Sequence, residues 1–343
     1  MTVTSSRTAE IARNYFASMA FLTLWLLLLL GLTCWPGSPK SIDELFHIQF
    51  EFGSWSFHGI DVIVAVYTAY LLLLVPYYLT LPPGYPTKCR MAWGVILGPR
   101  RPNAAETTAL LSLGVKGIYI PMMSVWAVQH VWAMSRSAAA AGSLVPVFDV
   151  PYWVHFIFLL DVGMFLFGYC VEHPRLGNEI RSVEPTVLGW LVALICYPPL
   201  RQFAIAVFEE NPVLVPLDDP MLRGAITAMW VLLFGIYMWA TLALNVRASN
   251  LTNRGIVGSG PYRYVRHPAY AAKNFAWWLA AATVIASRPT FEPATLGAIL
   301  LGTLAWSAIY YVRAITEERH LMRDPDYQDY CRQTRWRFVP GIY

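Results

Sequence analysis

Apolar residues run along this chain in long blocks, and polar residues gather in the connections between them. A bilayer core about 30 Å thick needs ~20 apolar residues per helix. Eight stretches reach or approach that length: 16–34, 62–81, 109–134, 152–169, 187–208, 225–246, 270–287 and 294–312. The first holds five consecutive leucines, Leu26 to Leu30. It is longer than the apolar region of a signal peptide, and no small-x-small cleavage site follows it, so it reads as a retained helix. The Pro198–Pro199 pair predicts a break or kink inside the fifth stretch. The pattern therefore predicts an all-α, polytopic membrane helix bundle of about eight transmembrane helices.

Composition supports this class. The 343 residues are 57% hydrophobic and 13% charged, about half the charge that a soluble domain carries. Disorder is excluded because it requires the opposite bias. The five cysteines form no paired spacing, which argues against a secreted disulfide scaffold. Charge placement then orients the chain. The N-terminus, alternate loops and C-terminal tail hold 18 Lys and Arg, while the other connections hold 4. Cytoplasmic loops collect such residues, so both termini are expected in the cytoplasm. The excess of 21 Arg over 4 Lys suggests a genome rich in G and C, hence a bacterial inner membrane. Nothing in the composition calls for nucleic acid or an obligate protein partner. The Asn250-Leu251-Thr252 sequon falls in a cytoplasmic loop and reads as a chance match.

Ionisable residues inside spans are costly and are often functional. Lys116, His130, His155, Asp61 and Asp161 stand in or at the edge of apolar stretches. They lack the repeated spacing of a transport pathway, and pairing or placement near span ends is the simpler expectation. Glu172 and His173 lie in a polar loop, 170–189, and read as solvated rather than metal-binding. No metal is expected.

The C-terminal third carries denser chemistry. Residues 254–270 read RGIVGSGPYRYVRHPAY. Gly255, Gly258 and Gly260 with Pro261 predict a turn-rich backbone whose N–H groups can approach a polar ligand. Pro268 suits the first turn of a helix. An apolar hairpin follows and returns the chain to Arg313 and the adjacent Glu317 and Glu318. Arg313 and Glu317 are four apart and share a helix face, so the hairpin brings them near Arg266 and His267. A basic lipid-binding segment would account for the arginines but not for the glutamate pair.

The sequence from Gly260 through Tyr262, Arg266, His267, Pro268 and Tyr270 is followed by the hairpin. Arg313, Glu317, Glu318 and Leu321 come next, and then Pro325, Tyr327 and Tyr330. In this order it resembles the isoprenylcysteine carboxyl methyltransferase family, whose layout the related phospholipid methyltransferases share, over roughly residues 225–343. The resemblance implies S-adenosyl-L-methionine-dependent methyl transfer to a lipophilic or lipid-modified acceptor at a cytoplasmic pocket. It implies cofactor contacts at Arg254, Gly255, Ile256, Val257, Tyr262, Arg266, His267, Pro268, Ala269, Tyr270 and Glu317, and a substrate-side Arg313. His267 and Glu318 are the candidate bases for an acceptor that must lose a proton. The expected division is an N-terminal set of helices, 1–220, of unassigned role and a methyltransferase-like domain, 221–343. The tail also resembles that of membrane sterol reductases, so an NADPH-dependent reductase is the alternative enzyme. A lipid-binding protein or transporter is the non-enzymatic one.

Overall fold

The structure, a computed structural model, describes residues 2–34, 40–98, 100–146, 149–208, 213–215, 217–287, 290 and 292–342. The chain forms two compact units, Met1–Val183 and Glu184–Tyr343.

In the first unit the leucine-rich block lies in α1 (Thr2–Cys34). A short helix α2 (Lys40–His47) leads to a hairpin of β1 (Gln49–Phe52) and β2 (Trp55–His58), in register Gln49 opposite His58 and Phe52 opposite Trp55. Then come α3 (Gly59–Thr80), α4 (Lys88–Ile96), α5 (Ala104–Ala141) and α6 (Val150–Cys170). Helix α5 starts at a reciprocal cap. Asn103 Oδ1 accepts from the Glu106 amide and Glu106 Oε2 from the Asn103 amide, both at 2.9 Å, which satisfies two orphan donors of the first turn. Its 38 residues extend about 57 Å, well beyond a bilayer core. Phe50 of the hairpin is fully buried with Phe46, Val62, Ile63 and Val125. Phe50 thus anchors the hairpin to α1, α2, α3 and α5.

In the second unit α7 (Val187–Leu194) and α8 (Leu200–Phe208) precede α9 (Pro220–Leu244), α10 (Pro268–Ala286), α11 (Pro293–Leu321) and α12 (Pro325–Gln333). Helices α9 and α10 pair, and α11 packs against α7, α8 and α10. The described residues of 184–220, grouped above with the N-terminal helices, fall in this unit.

Among the described residues six helices are long and apolar enough to cross a membrane: α1, α3, α5, α6, α9 and α11. Their outer faces carry exposed apolar residues such as Leu28, Leu72, Leu232 and Leu301, as lipid contact requires. The expected count of eight differs at two stretches. The fifth is broken at Pro198–Pro199 into α7 and α8, because a proline removes a ladder donor and crowds the preceding turn. The seventh, α10, has 19 residues but is not among those six helices.

The ionisable residues of the spans have local partners. Asp61 Oδ2 accepts from the His58 amide at 2.7 Å at the start of α3. His130 Nδ1 and His155 Nδ1 lie 3.0 Å apart. Lys116 Nζ donates to Glu172 Oε2 at 3.0 Å. One expectation is corrected here: Glu172 and His173 are buried, not solvated. Glu172 also accepts from Lys88 and from the Ile180 amide, and His173 Nδ1 accepts from the Arg175 amide. Polar groups this buried require such partners.

Candidate functional site

The glycine-rich loop is held in place by side chains on both flanks. Asn253 Nδ2 donates to Asp324 Oδ2 at 2.7 Å, and Asn253 Oδ1 accepts from the Gly255 amide at 2.8 Å. This turn fixes the start of Arg254–Gly255–Ile256–Val257. Arg254 is 2% exposed. Gly255 has φ 94°, open to glycine and strained for other residues. The Ile256 carbonyl accepts from Arg247 at 3.4 Å.

Farther along, Gly260 has φ 62°, and an added Cβ would stand 3.0 Å from Ala243 Cβ and 3.2 Å from Trp239 Nε1. The missing side chain lets the loop lie against α9. Tyr330 of α12 covers Gly258 and donates to the Tyr262 carbonyl at 2.7 Å. The tail then pairs with the next segment: the Arg266 and His267 amides donate to the Trp336 and Arg337 carbonyls, each at 2.9 Å.

His267 precedes Pro268 and Ala269, which open α10. Its ring stacks on Tyr270, with centroids 5.3 Å apart and planes at 12°. Its Nε2 lies 3.0 Å from Glu318 Oε1. Glu318 is buried and surrounded by cations. Arg266 Nε is 2.9 Å from Oε1, and Arg337 contributes Nε at 3.0 Å and Nη2 at 2.8 Å. The two candidate bases are therefore partners of each other, inside one ion cluster.

One residue earlier on α11, Glu317 is exposed. Its Oε2 accepts from Tyr270 Oη at 2.8 Å. Arg313, one turn back, is buried. It donates to Asn250 Oδ1, and its guanidinium stands 5.3, 5.6 and 5.9 Å from the rings of Tyr270, Tyr310 and Tyr197. A guanidinium among aromatic faces gains cation–π attraction where water is scarce.

Residues 221–323 match the isoprenylcysteine carboxyl methyltransferase (ICMT) family. The matched segment spans α9 from its second residue, the loop, α10, α11 and the contacts that His267, Tyr270, Arg313, Glu317 and Glu318 make with one another. It stops short of α12 and the tail, which contribute Tyr330, Trp336 and Arg337. No curated protein matches the chain.

A recess of about 30 Å³ opens here, lined by Glu184, Asn250, Tyr270, Arg313, Glu317 and His320 among others. That is space for roughly two waters. Arg254, Gly255, Ile256, Val257 and Tyr262 lie outside this lining. Tyr270 joins the recess to the loop side through its stack on His267.

No sequence pattern singles out Asn250, Glu184 or Arg337. Asn250 is visible in sequence only as part of a sequon, yet its side chain joins Arg313 to Tyr197 Oη, the latter at 3.2 Å. Glu184 Oε1 accepts from the Thr186 amide at 3.0 Å and from Arg319 at 3.3 Å. Its buried Oε2 has no hydrogen-bond partner among the described residues. Gly189 makes room for it, since a Cβ there would meet Glu184 Cγ at 2.3 Å.

Proposed function

We propose that the chain is an integral membrane methyltransferase that uses S-adenosyl-L-methionine and acts on a lipophilic acceptor. The observation that carries this reading is the ICMT match over 221–323, because it falls on the residues that fold into one polar cluster. The donor and acceptor types of the residues present match the cofactor's groups, and the recess of about 30 Å³ has to widen to admit it. Its ammonium and ribose hydroxyls call for acceptors, and Glu317 and the unsatisfied Glu184 Oε2 supply them by charge-assisted bonds. Its carboxylate calls for donors; the Gly255 amide is taken by Asn253, which leaves the Ile256 and Val257 amides of the turn as the donors assigned to it.

When bound, the cofactor supplies an electrophilic methyl group. The chain supplies placement, which accounts for much of the rate of an in-line displacement. Arg313 has five N–H donors and gives one to Asn250, so it has donors to orient an anionic acceptor oxygen. A carboxylate acceptor needs no base. Glu318 is already engaged by His267, Arg266 and Arg337, so its part is to hold the Arg266–His267 turn. His267 faces Glu318 with Nε2 and lies outside the recess lining, so the site favours an acceptor that is already anionic over one that must lose a proton.

The lipophilic acceptor is supported by the lipid-exposed helices around the site, and a cytoplasmic site by the 18-to-4 charge asymmetry. Calorimetric titration of the detergent-purified protein tests the reading. S-adenosylhomocysteine is expected to bind and NADPH is not. NADPH binding without S-adenosylhomocysteine binding would replace the proposal with a reductase.

A further inference from the structure

In the N-terminal unit, outside the ICMT match, four helices long enough to cross a membrane line a cavity of about 450 Å³. Small-molecule sites usually measure about 300–1,000 Å³ and are mostly apolar with a few placed polar groups. The walls here follow that form, with Leu26 of α1, Leu73 of α3, Leu113 and Ile120 of α5 and Leu166 of α6. Along α3 the lining runs from Ile63 to Tyr78, about 22 Å at the helical rise. At the Ile63 end it reaches Leu29, and both residues are buried with Phe50.

The lining asks an occupant for no charge. Lys88 and Lys116 both donate to Glu172, and Tyr85 of the lining donates to Glu179. Two ammoniums thus stand against two carboxylates. Hydroxyls along the walls are engaged within the protein as well. Ser18 pairs with Tyr78, Tyr67 Oη lies 2.7 Å from Thr23 Oγ1, and Ser124 donates to the Ile120 carbonyl at 2.7 Å. An ion taken into such a site would give up its solvation without gaining a countercharge. A void would forfeit the contacts its walls could make, and water would face apolar surface. An uncharged hydrocarbon chain avoids all three costs.

One side of the cavity is open. Helices α3 and α6 both line it, and both pack on α5 rather than closely on each other. On the α3 wall, Leu73 is 63% exposed and Ala69 is exposed as well. The cavity therefore opens sideways on an apolar helix face that lipid would cover, which makes the bilayer the source of its occupant.

We propose that this cavity binds one uncharged single-chain lipid, a long-chain alcohol or a molecule of that form, taken in sideways from the bilayer. Its chain follows α1, α3 and α5 toward Leu29. Its hydroxyl stays at the end where Lys88, Lys116 and Glu172 are already paired, because a hydroxyl both donates and accepts and adds no charge. The proposal does not depend on methyl transfer by the other unit.

Native mass spectrometry of the full-length protein, released from non-ionic detergent, tests it with oleyl alcohol and oleate. Oleyl alcohol is expected to bind one per chain, and oleate at least about tenfold more weakly, as the cost of an uncompensated charge implies. Ala69→Trp places bulk at the exposed mouth without entering a packed core, and it should abolish binding of the alcohol. A diazirine analogue of oleyl alcohol locates the site. On irradiation it should mark lining residues such as Leu73 and Ile120. Excess oleyl alcohol should remove that mark, and excess dioleoylphosphatidylcholine should not. Absence of alcohol binding, or oleate binding as tight as that of the alcohol, would overturn the proposal. So would retention of the alcohol in Ala69→Trp, a mark confined to outward residues such as Leu28 and Leu72, or a mark removed by the phospholipid alone.

Discussion

Glu317 and Glu318 are neighbours in sequence with opposite surroundings. Successive residues on a helix point about 100° apart, so Glu317 stays exposed beside Tyr270 while Glu318 turns into the cluster of His267, Arg266 and Arg337. Substitutions should therefore differ in kind. Glu317→Ala removes a charge-assisted acceptor and should weaken S-adenosylhomocysteine binding roughly tenfold with little change in melting temperature. Arg313→Ala should spare that binding and impair use of the acceptor. Calorimetry and turnover measured on the same preparations separate the two. Glu318→Ala leaves cationic groups facing one another and should cost about 3 kcal/mol of stability, read as a lower melting temperature. An unchanged melting temperature would contradict its role as the anchor of the turn. The Arg313–Glu317 pair and the Arg266–His267 turn are legible in sequence through helical spacing and the returning hairpin. Asn250 and Arg337 are not, because their roles come from tertiary contact and no local pattern marks them.

At the scale of elements, long apolar stretches translate well into helices, since a span is specified by length and apolarity alone. The misses lie where short-range features decide. The β1–β2 hairpin has four-residue strands, below the length at which alternation can be recognised, and it is fixed by burial of Phe50. The proline pair announces a break, but whether α7 and α8 form a kinked helix or two short ones depends on packing against α11. The glycine-rich loop is legible as a turn, but its fastening by Asn253, Tyr330 and the tail is not. Gly260 gives this element its test. Its left-handed backbone and the 3.0 Å approach to Ala243 should make Gly260→Ala cost about 1–2 kcal/mol. The loop should shift with it, so both melting temperature and S-adenosylhomocysteine affinity should fall. Unchanged affinity in the Gly260→Ala variant would show that the loop does not shape the cofactor site.

For the whole molecule, apolar composition defines the class, and the few charges mark where chemistry concentrates. Each compact unit has its own buried polar centre: Lys88, Lys116 and Glu172 in one, Glu318 with its cations in the other. The centre of the first unit carries a pH prediction. Burial raises the Glu172 carboxyl, but Lys116, Lys88 and the Ile180 amide outweigh it and bring its pKa down from the ordinary 4.5 to about 2. A lowered carboxyl stabilises the fold above its unfolded value, and the contribution is lost as pH falls toward the folded one. The melting temperature of the native protein should therefore exceed that of Glu172→Gln by a constant margin above pH 5, and the margin should narrow between about pH 4.5 and 2. A margin independent of pH would mean that the carboxylate charge contributes nothing.

The central claim is methyl transfer to a lipophilic acceptor at the Arg313–Glu317 site. Its most direct measurement is the transfer of tritiated methyl from S-adenosyl-L-methionine into the organic extract of membranes containing the protein. Label is expected in that extract with the native chain, little with Arg313→Ala, and little with Glu317→Ala at limiting cofactor. Equal labelling by the native chain and by membranes lacking it would rule out methyl transfer at this site.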